Sequence, residues 1–344
     1  MEVMKNNRIT LDHGSGGLAT KELIQDVFLA RLSNRYLDRL EDSAVIGIEG
    51  GRLAFTTDSY VVDPVFFPGG DIGSLAVHGT VNDLAMQGAK PKALTLGLIL
   101  EEGLLFQELE QIADSISRAC KEAQVPVVAA DTKVVPRGKA DKIFINTAGV
   151  GLIPEGLELG SHRAHPGDAV IVSGFIGDHG SAILMSRSNL SFGAEIHSDS
   201  APLYDLVATV LEKCPFDKVR LFRDPTRGGL ATVLNEIAQS SNVRIEVDEG
   251  AIPIRKKVSG VCELLGLDPL YLANEGKCVA VVDSGYSQEV IDAMKELPIG
   301  AHAALIGRIK ALDVSQRPVV TLKTGVGGQR IVSMLSGEPL PRIC

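Results

Sequence analysis

The sequence has 344 residues, 45% of them hydrophobic and 22% charged, enough to bury a sizeable core and to form two domains of ordinary size. A formal charge of −9, no tryptophan and 4% aromatic residues exclude a nucleic-acid platform, which needs a basic face set with stacking rings. No run approaches the roughly 20 apolar residues of a membrane span, and the opening Met1-Glu2-Val3-Met4-Lys5-Asn6-Asn7 lacks the apolar stretch of a signal peptide, so no membrane contact and a cytoplasmic address are expected.

In chain order, the glycine-rich arm His13-Gly14-Ser15-Gly16-Gly17 leads into a predicted helix over 18–40, where Leu23, Val27, Leu32, Leu37 and Leu40 recur at helical spacing. Strand-like runs follow at 44–48, 53–57, 93–100, 125–130 and 143–153, with helical patterns at 72–86 and 104–123 between them. This alternation predicts a mixed α/β domain ending near Pro154. The prolines and glycines of 154–167 predict a linker. Strands at 169–172, 243–247, 279–282, 303–309 and 319–323, with helices near 182–187, 203–211 and 230–240, predict a second α/β domain. The fold class is therefore α/β (α+β): an arm and first helix (1–40), an N-terminal domain (41–155), a C-terminal domain (165–325) and an extended tail (326–344).

Cys120, Cys214, Cys262, Cys278 and Cys344 are odd in number, scattered and never in a CxxC pair, which argues against both a disulfide framework and a zinc site. There is no GxxxxGK[ST] motif, and the arm does not follow a strand as a dinucleotide fingerprint requires. Acidic residues beside small residues or at expected strand ends stand out instead: Asp58 in Thr57-Asp58-Ser59, Asp83 in Val81-Asn82-Asp83, Asp131 in Ala130-Asp131-Thr132-Lys133, and Asp224 in Asp224-Pro225-Thr226-Arg227. Converging carboxylates suit magnesium, a hard cation that takes a few carboxylates together with water and phosphate oxygens. Each aspartate taken singly also reads as a turn residue or a helix cap.

The sequence ends Glu338-Pro339-Leu340-Pro341-Arg342-Ile343-Cys344. Two prolines favour an extended path, and at ~3.1 Å per residue 337–344 would reach roughly 20 Å, enough to carry a group on the last thiol between a pocket and a partner. A frayed terminus that happens to finish on cysteine is the plain alternative.

In order and spacing, these motifs together with Glu41-Asp42-Ser43-Ala44, His78-Gly79-Thr80-Val81-Asn82-Asp83, Arg223-Asp224-Pro225-Thr226-Arg227-Gly228-Gly229, Asn274-Glu275-Gly276-Lys277 and the final Pro341-Arg342-Ile343-Cys344 resemble the HypE family of hydrogenase maturation proteins. That family lies within a wider group of ATP-binding proteins that includes aminoimidazole ribonucleotide synthetase and selenophosphate synthetase. The resemblance runs from His13 to Cys344, and the terminal cysteine separates this family from its cousins. It implies a two-domain aminoimidazole ribonucleotide synthetase-like fold and a homodimer, pairing through the strands at 93–100 and 143–153. It further implies a carbamoyl group received on Cys344 from a HypF-like carbamoyltransferase, ATP-dependent dehydration of the thiocarbamate to a thiocyanate, and transfer of the cyano group to iron on a HypC–HypD scaffold.

On the same resemblance, Asp58, Asp83 and Asp131 hold Mg2+ on ATP, and the nucleotide is contacted by His13, Gly14, Ser15, Gly16, Gly17, Asp42, Asn82, Asp224 and Arg227. Lys133 stabilises the carbamoyl oxygen or the γ-phosphate, and Glu275 removes the amide protons. Equal readings remain for two residues: His78 as a hydrogen-bonded core histidine, and Arg227 as a structural ion pair. Two other functions compete. One is an ATP-dependent small-molecule synthetase of the same fold with Cys344 incidental; the other is a non-catalytic carrier or scaffold.

Overall fold

A computed structural model describes residues 9–187, 196–312, 317–337 and 342–344. After the arm come α1 (Leu18–Leu23), a π-helical stretch (Ile24–Leu29) and α2 (Ala30–Leu32). The helix expected to reach residue 40 stops at Leu32, because the side chain of Asn34 accepts the backbone N–H groups of Tyr36 and Leu37 and so competes with the helical ladder.

The first unit then runs β1 (Ala44–Ile48), β2 (Gly51–Tyr60), a short hairpin of β3 (Phe66–Phe67) and β4 (Gly70–Asp71), α3 (Ile72–Met86), β5 (Lys90–Glu101), α4 (Phe106–Glu122), β6 (Val127–Val135) and β7 (Ile143–Ile153). Five of these strands form one sheet in the order β1-β2-β7-β5-β6, with only β5 and β6 parallel. Asp71 caps α3, its carboxylate accepting from the N–H groups of Gly73 and Ser74. α3 lies against one face of the sheet so closely that a Cβ on Gly79 would sit 2.2 Å from the Tyr60 hydroxyl. The opposite face carries exposed Phe55, Ile99 and Leu152. The near-continuous apolar character of β5 and β7 suits burial on both faces; within one chain only one is covered.

The second unit continues with β8 (Ala169–Val172), α5 (Asp178–Arg187), α6 (Tyr204–Lys213), β9 (Val219–Arg223), α7 (Gly229–Ser240), β10 (Arg244–Asp248), α8 (Lys256–Leu265), β11 (Val279–Val282), α9 (Ser287–Lys295), β12 (Ala304–Lys310), β13 (Val319–Lys323) and β14 (Gln329–Val332). Its seven-stranded sheet has the order β14-β13-β10-β12-β8-β11-β9. Alternate residues of β8 and β11 enter different cores. Val170, Val172, Val279 and Val281 pack with α7, whereas Ala169, Ile171, Ala280 and Val282 pack with α6 and α9. Ala85 and Met86 at the end of α3 belong to that second core, so α3 is the element that seats the first sheet on the second unit.

Candidate active site

The end of the chain is packed into the junction of the two units. The extended course expected over 337–344 falls largely on 338–341, outside the described residues, but the last three residues are fixed. The N–H of Val61 donates to the main-chain oxygen of Cys344 at 3.0 Å, and that of Asp63 to Arg342 at 3.3 Å. Arg342 Nε donates in turn to the Val61 carbonyl at 3.1 Å. Ile343 is buried in the core of the first unit beside Ile183 and Ala273. Cys344 lines a small pocket with Gly14 and Ser15 of the arm, Ser59 and Val61 at the end of β2, and Arg227 and Gly228 after β9.

Burial pushes the Cys344 thiol up to about 12; Arg227 opposes the shift, and Glu275, Asp58 and Asp224 add to it. Arg227, exposed at the mouth of that pocket, is held more firmly charged, chiefly by Cys344. The thiol, one guanidinium and three carboxyl groups thus share one electrostatic neighbourhood.

Those carboxyls come from elements far apart in sequence. Asp58 lies within β2, 3.2 Å from the Tyr60 hydroxyl. Asp83 lies on α3, not at a strand end, and accepts from Thr56 Oγ1 at 2.6 Å. Asp42 precedes β1 and pairs with Arg223 Nε at 2.8 Å. Asp224 follows β9 and Glu275 sits in the loop before β11. Burial is the first cause raising Asp42, Asp83, Asp224 and Glu275, and mutual repulsion among the acids adds to it; Asp224 is raised to about 6. Asp42 Oδ2 and Glu275 Oε1 are buried without a hydrogen-bond partner among the described residues. Such a surplus of buried negative charge calls for a cation.

Beside the cluster a cleft of about 560 Å³ opens between the arm and the second unit, lined by Gly16, Gly17, Lys21, Asp42, Arg223, Asp224, Arg227 and Glu236 among others. Two glycines let the arm lie close there. A Cβ on Gly16, whose φ is +79°, would meet the Arg227 Cβ at 2.7 Å, and one on Gly17 would meet the Leu335 carbonyl at 2.4 Å. His13 turns away into a cap on Thr10, its Nδ1 accepting that residue's N–H at 3.1 Å.

Other expected site residues take different places. Asn82 is buried, and its amide is fully used: Nδ2 donates to the carbonyls of Ala201 and Glu275, while Oδ1 accepts the Leu203 N–H. It stands behind Glu275 and fixes that loop. His78 contacts Ser200 Oγ at 3.0 Å from a buried position. Gly276 must be glycine, since a Cβ would come 1.8 Å from the Asp199 carbonyl.

Asp131 and Lys133 are on the far side of the sheet. The pairing Asp131–Gly97, Gly97–Asn146, Asn146–Ser59 puts Asp131 in register with Ser59, whereas Asp58 points to the α3 face. Lys133 Nζ donates to both Asp131 oxygens at 2.6 to 2.7 Å, and both side chains are largely exposed on the sheet's outermost strand. Asp131 therefore cannot join Asp58 and Asp83 around one ion within a single chain, and among the described residues no three His, Cys, Asp or Glu side chains are grouped to hold a metal unaided.

Residues that sequence reasoning passed over complete the site. Thr56 and Tyr60 hold the acids of β2 and α3, Arg223 bridges Asp42 and Glu236, and His179 touches the tail. Strand alternation placed Thr56 and Tyr60 on the Asp58 face, a signal that was available; His179 had none.

Residues 40–153 match the family model for the AIR synthase related protein N-terminal domain, and 165–317 match that for its C-terminal domain. A carbamoyl dehydratase HypE from Rhizobium leguminosarum bv. viciae is 52% identical, over 98% of this chain and 96% of that one. The HypE of Escherichia coli (strain K12) is 45% identical, over 98% of this chain and all of the other. The chain belongs to the HypE carbamoyl dehydratase family. Among solved structures, a hydrogenase maturation protein HypE in complex with ATP superposes with a TM-score of 0.82 at 48% identity, covering 98% of this chain and 100% of that one. A HypE–HypF complex matches with a TM-score of 0.86 at 44% identity, covering 91% of this chain and 99% of that one. No helix among the described residues is long and apolar enough to cross a membrane.

Proposed function

We propose that the chain is an ATP-dependent carbamoyl dehydratase acting on its own Cys344. The observation that carries this reading is the placement of the half-buried Cys344 thiol in one electrostatic neighbourhood with buried Glu275 and with Arg227, next to an acid-lined cleft of nucleotide size. The relative solved with ATP supports the nucleotide, and the one solved with HypF supports a HypF-like carbamoyltransferase as donor of the carbamoyl group. A HypC–HypD-like iron scaffold would be the acceptor of the cyano group.

The chemistry balances as follows. The carbamoyl oxygen of the S-carbamoyl group takes the γ-phosphoryl group of ATP, releasing ADP. Loss of both amide protons and departure of that oxygen as phosphate leave a thiocyanate on sulfur. Phosphorylation turns a poor leaving group into a good one. Glu275, a buried carboxyl raised above its ordinary range, is suited to accept an amide proton. Arg227 lines the same pocket as Cys344 and offsets negative charge there.

Magnesium fits the acid cluster. The unpartnered Asp42 Oδ2 and the mutually raised Asp83 and Asp224 mark a place for positive charge, and Mg2+ commonly needs only one or two carboxylates beside phosphate oxygens. Asp58 and Asp83 would hold it; when bound it neutralises the phosphates and orients the transfer.

Lys133 and Asp131 enter this reading only through a second copy. The uncovered sheet face bearing Phe55, Ile99 and Leu152 favours a homodimer, and because Asp131 and Lys133 project from that face, each copy would lend them to its neighbour's site. Neither rival function has a specific observation in its favour, since a small-molecule synthetase gives no reason to seat Cys344 in the electrostatic neighbourhood of Glu275. ADP release in step with loss of water from S-carbamoyl Cys344 tests the proposal. ATP turnover that proceeds equally in Cys344→Ala would refute it.

A further inference from the structure

We propose that His179 is a positioning residue that locks the last two residues into the site, with Ser198 fixing its tautomer. This inference rests on the reading of Cys344 as the acceptor thiol. His179 lies in the first turn of α5 and is wholly buried. Its Nε2 is 2.8 Å from the Ile343 carbonyl oxygen. A carbonyl can only accept, so Nε2 carries the proton. Its Nδ1 is 2.8 Å from Ser198 Oγ. That hydroxyl already accepts the Ser200 N–H at 3.1 Å, which leaves its own proton to donate to Nδ1. A directed chain therefore runs from the Ser200 N–H through Ser198 and His179 to the Ile343 carbonyl.

The ring has little freedom to do anything else. Phe67 packs edge-on against it with centroids 5.5 Å apart, and the Ser198 N–H is tied to the Pro68 carbonyl at 2.8 Å. Burial also keeps the imidazole neutral, which preserves the acceptor that Ser198 needs. The geometry of the chain end then explains why one histidine matters. Arg342 and Cys344 turn their oxygens to the Asp63 and Val61 N–H groups, and Ile343 turns its carbonyl to the opposite side, where His179 meets it. The last three residues are gripped from both sides. Without His179 a buried carbonyl would be left unpaired one residue before the reacting sulfur, and a displacement there of ~1 Å is enough to cost on the order of a hundredfold in rate. Arg187, two turns further along α5, also donates to the Arg342 carbonyl, so one helix supplies two contacts to the tail.

Two neutral amides separate this role from simple packing. In His179→Gln the amide nitrogen can reach the position of Nε2 and still donate to Ile343; in His179→Asn it reaches only the position of Nδ1 and leaves that carbonyl bare. Site-resolved alkylation with iodoacetamide reads the position of the thiol with no nucleotide or carbamoyl group present. Expected is a rate at Cys344 at least about tenfold faster in His179→Asn than in wild type, with His179→Gln within about threefold of wild type. In the ATP-dependent reaction of chains already carbamoylated on Cys344, His179→Asn should lower kcat by about tenfold or more with an unchanged KM for ATP, and Gln should restore it. Equal alkylation rates at Cys344 in wild type and both variants would overturn the assignment. A wild-type chain that never dehydrates its carbamoyl group would overturn the underlying function, and the alkylation contrast would still decide the role of His179.

Discussion

The backbone N–H of Val61 donates to the main-chain oxygen of Cys344 at 3.0 Å, which joins the last residue of the chain to the end of the strand that carries Asp58. A larger group beyond Cys344 would have to share the small pocket that the residue lines with Gly14, Ser15, Ser59 and Arg227. Residues added after Cys344 should therefore slow dehydration, and a bulky extension should also impair carbamoylation, whereas Cys344→Ala should fold and bind ATP but form no thiocyanate. Peptide mass spectrometry checks this; a carbamoyl or cyano group on Cys120, Cys214, Cys262 or Cys278 would contradict it.

Glu275 and Lys133 should separate from nucleotide binding. Glu275→Gln and Lys133→Ala are expected to bind ATP as wild type does and to accumulate the carbamoylated form, with dehydration slowed by roughly 10²-fold or more, the usual scale for a general acid or base. Nucleotide titration beside mass analysis gives both readouts. A variant that dehydrates at the normal rate would remove that residue from the chemistry.

The opposite faces of Asp58 and Asp131 make a sharper test. Asp83→Asn should weaken magnesium-dependent ATP binding in every copy, while leaving carbamoylation intact because the thiol does not need the metal. If Asp131 acts across a dimer, then mixing Asp131→Asn chains with Glu275→Gln chains should restore activity, since each mixed dimer assembles one site with both native residues. Inactive mixtures that nevertheless form mixed dimers would place Asp131 outside the site.

Asp224 predicts a pH dependence. Burial raises it from 3.8 to about 6, Arg223 opposing and Asp58 adding. Because the folded value lies above the unfolded one, the folded state holds its proton more tightly, so this group's contribution is full at pH 3 and is lost as pH rises through 6. Asp224→Asn should therefore raise the Tm at pH 8, by an amount equivalent to at most about 3 kcal/mol, and change it little at pH 3. Melts without magnesium or nucleotide check this; a lower Tm for the variant at pH 8 would contradict it.

Much of the scaffold was legible from periodicity. The runs at 44–48, 72–86, 143–153, 169–172 and 279–282 coincide with β1, α3, β7, β8 and β11, because each is bounded by turn residues and built of residues that the core demands. β9 was missed because Arg220 and Arg223 interrupt its apolar pattern, and both turn out to be ion-paired in place. α8 and α9 carry polar residues on their exposed sides and lack a long apolar stripe. For the site, the motifs marked the acids but not their geometry. Strand alternation could show that Asp58 and Ser59 point opposite ways, yet only the order β2-β7-β5-β6 reveals that Asp131 shares the face of Ser59. His179, in Gly177-Asp178-His179-Gly180, offered no pattern at all; its role arises from a contact 164 residues away.

The most direct test of the central claim is the intact mass of the chain followed in time, with carbamoyl phosphate, a HypF-like carbamoyltransferase and ATP. The expected course is the gain of a single carbamoyl group, mapped to Cys344, and then the loss of water from that same residue. A carbamoylated chain whose mass stays constant while ATP is consumed, or a chain that never gains the group on Cys344, would contradict it.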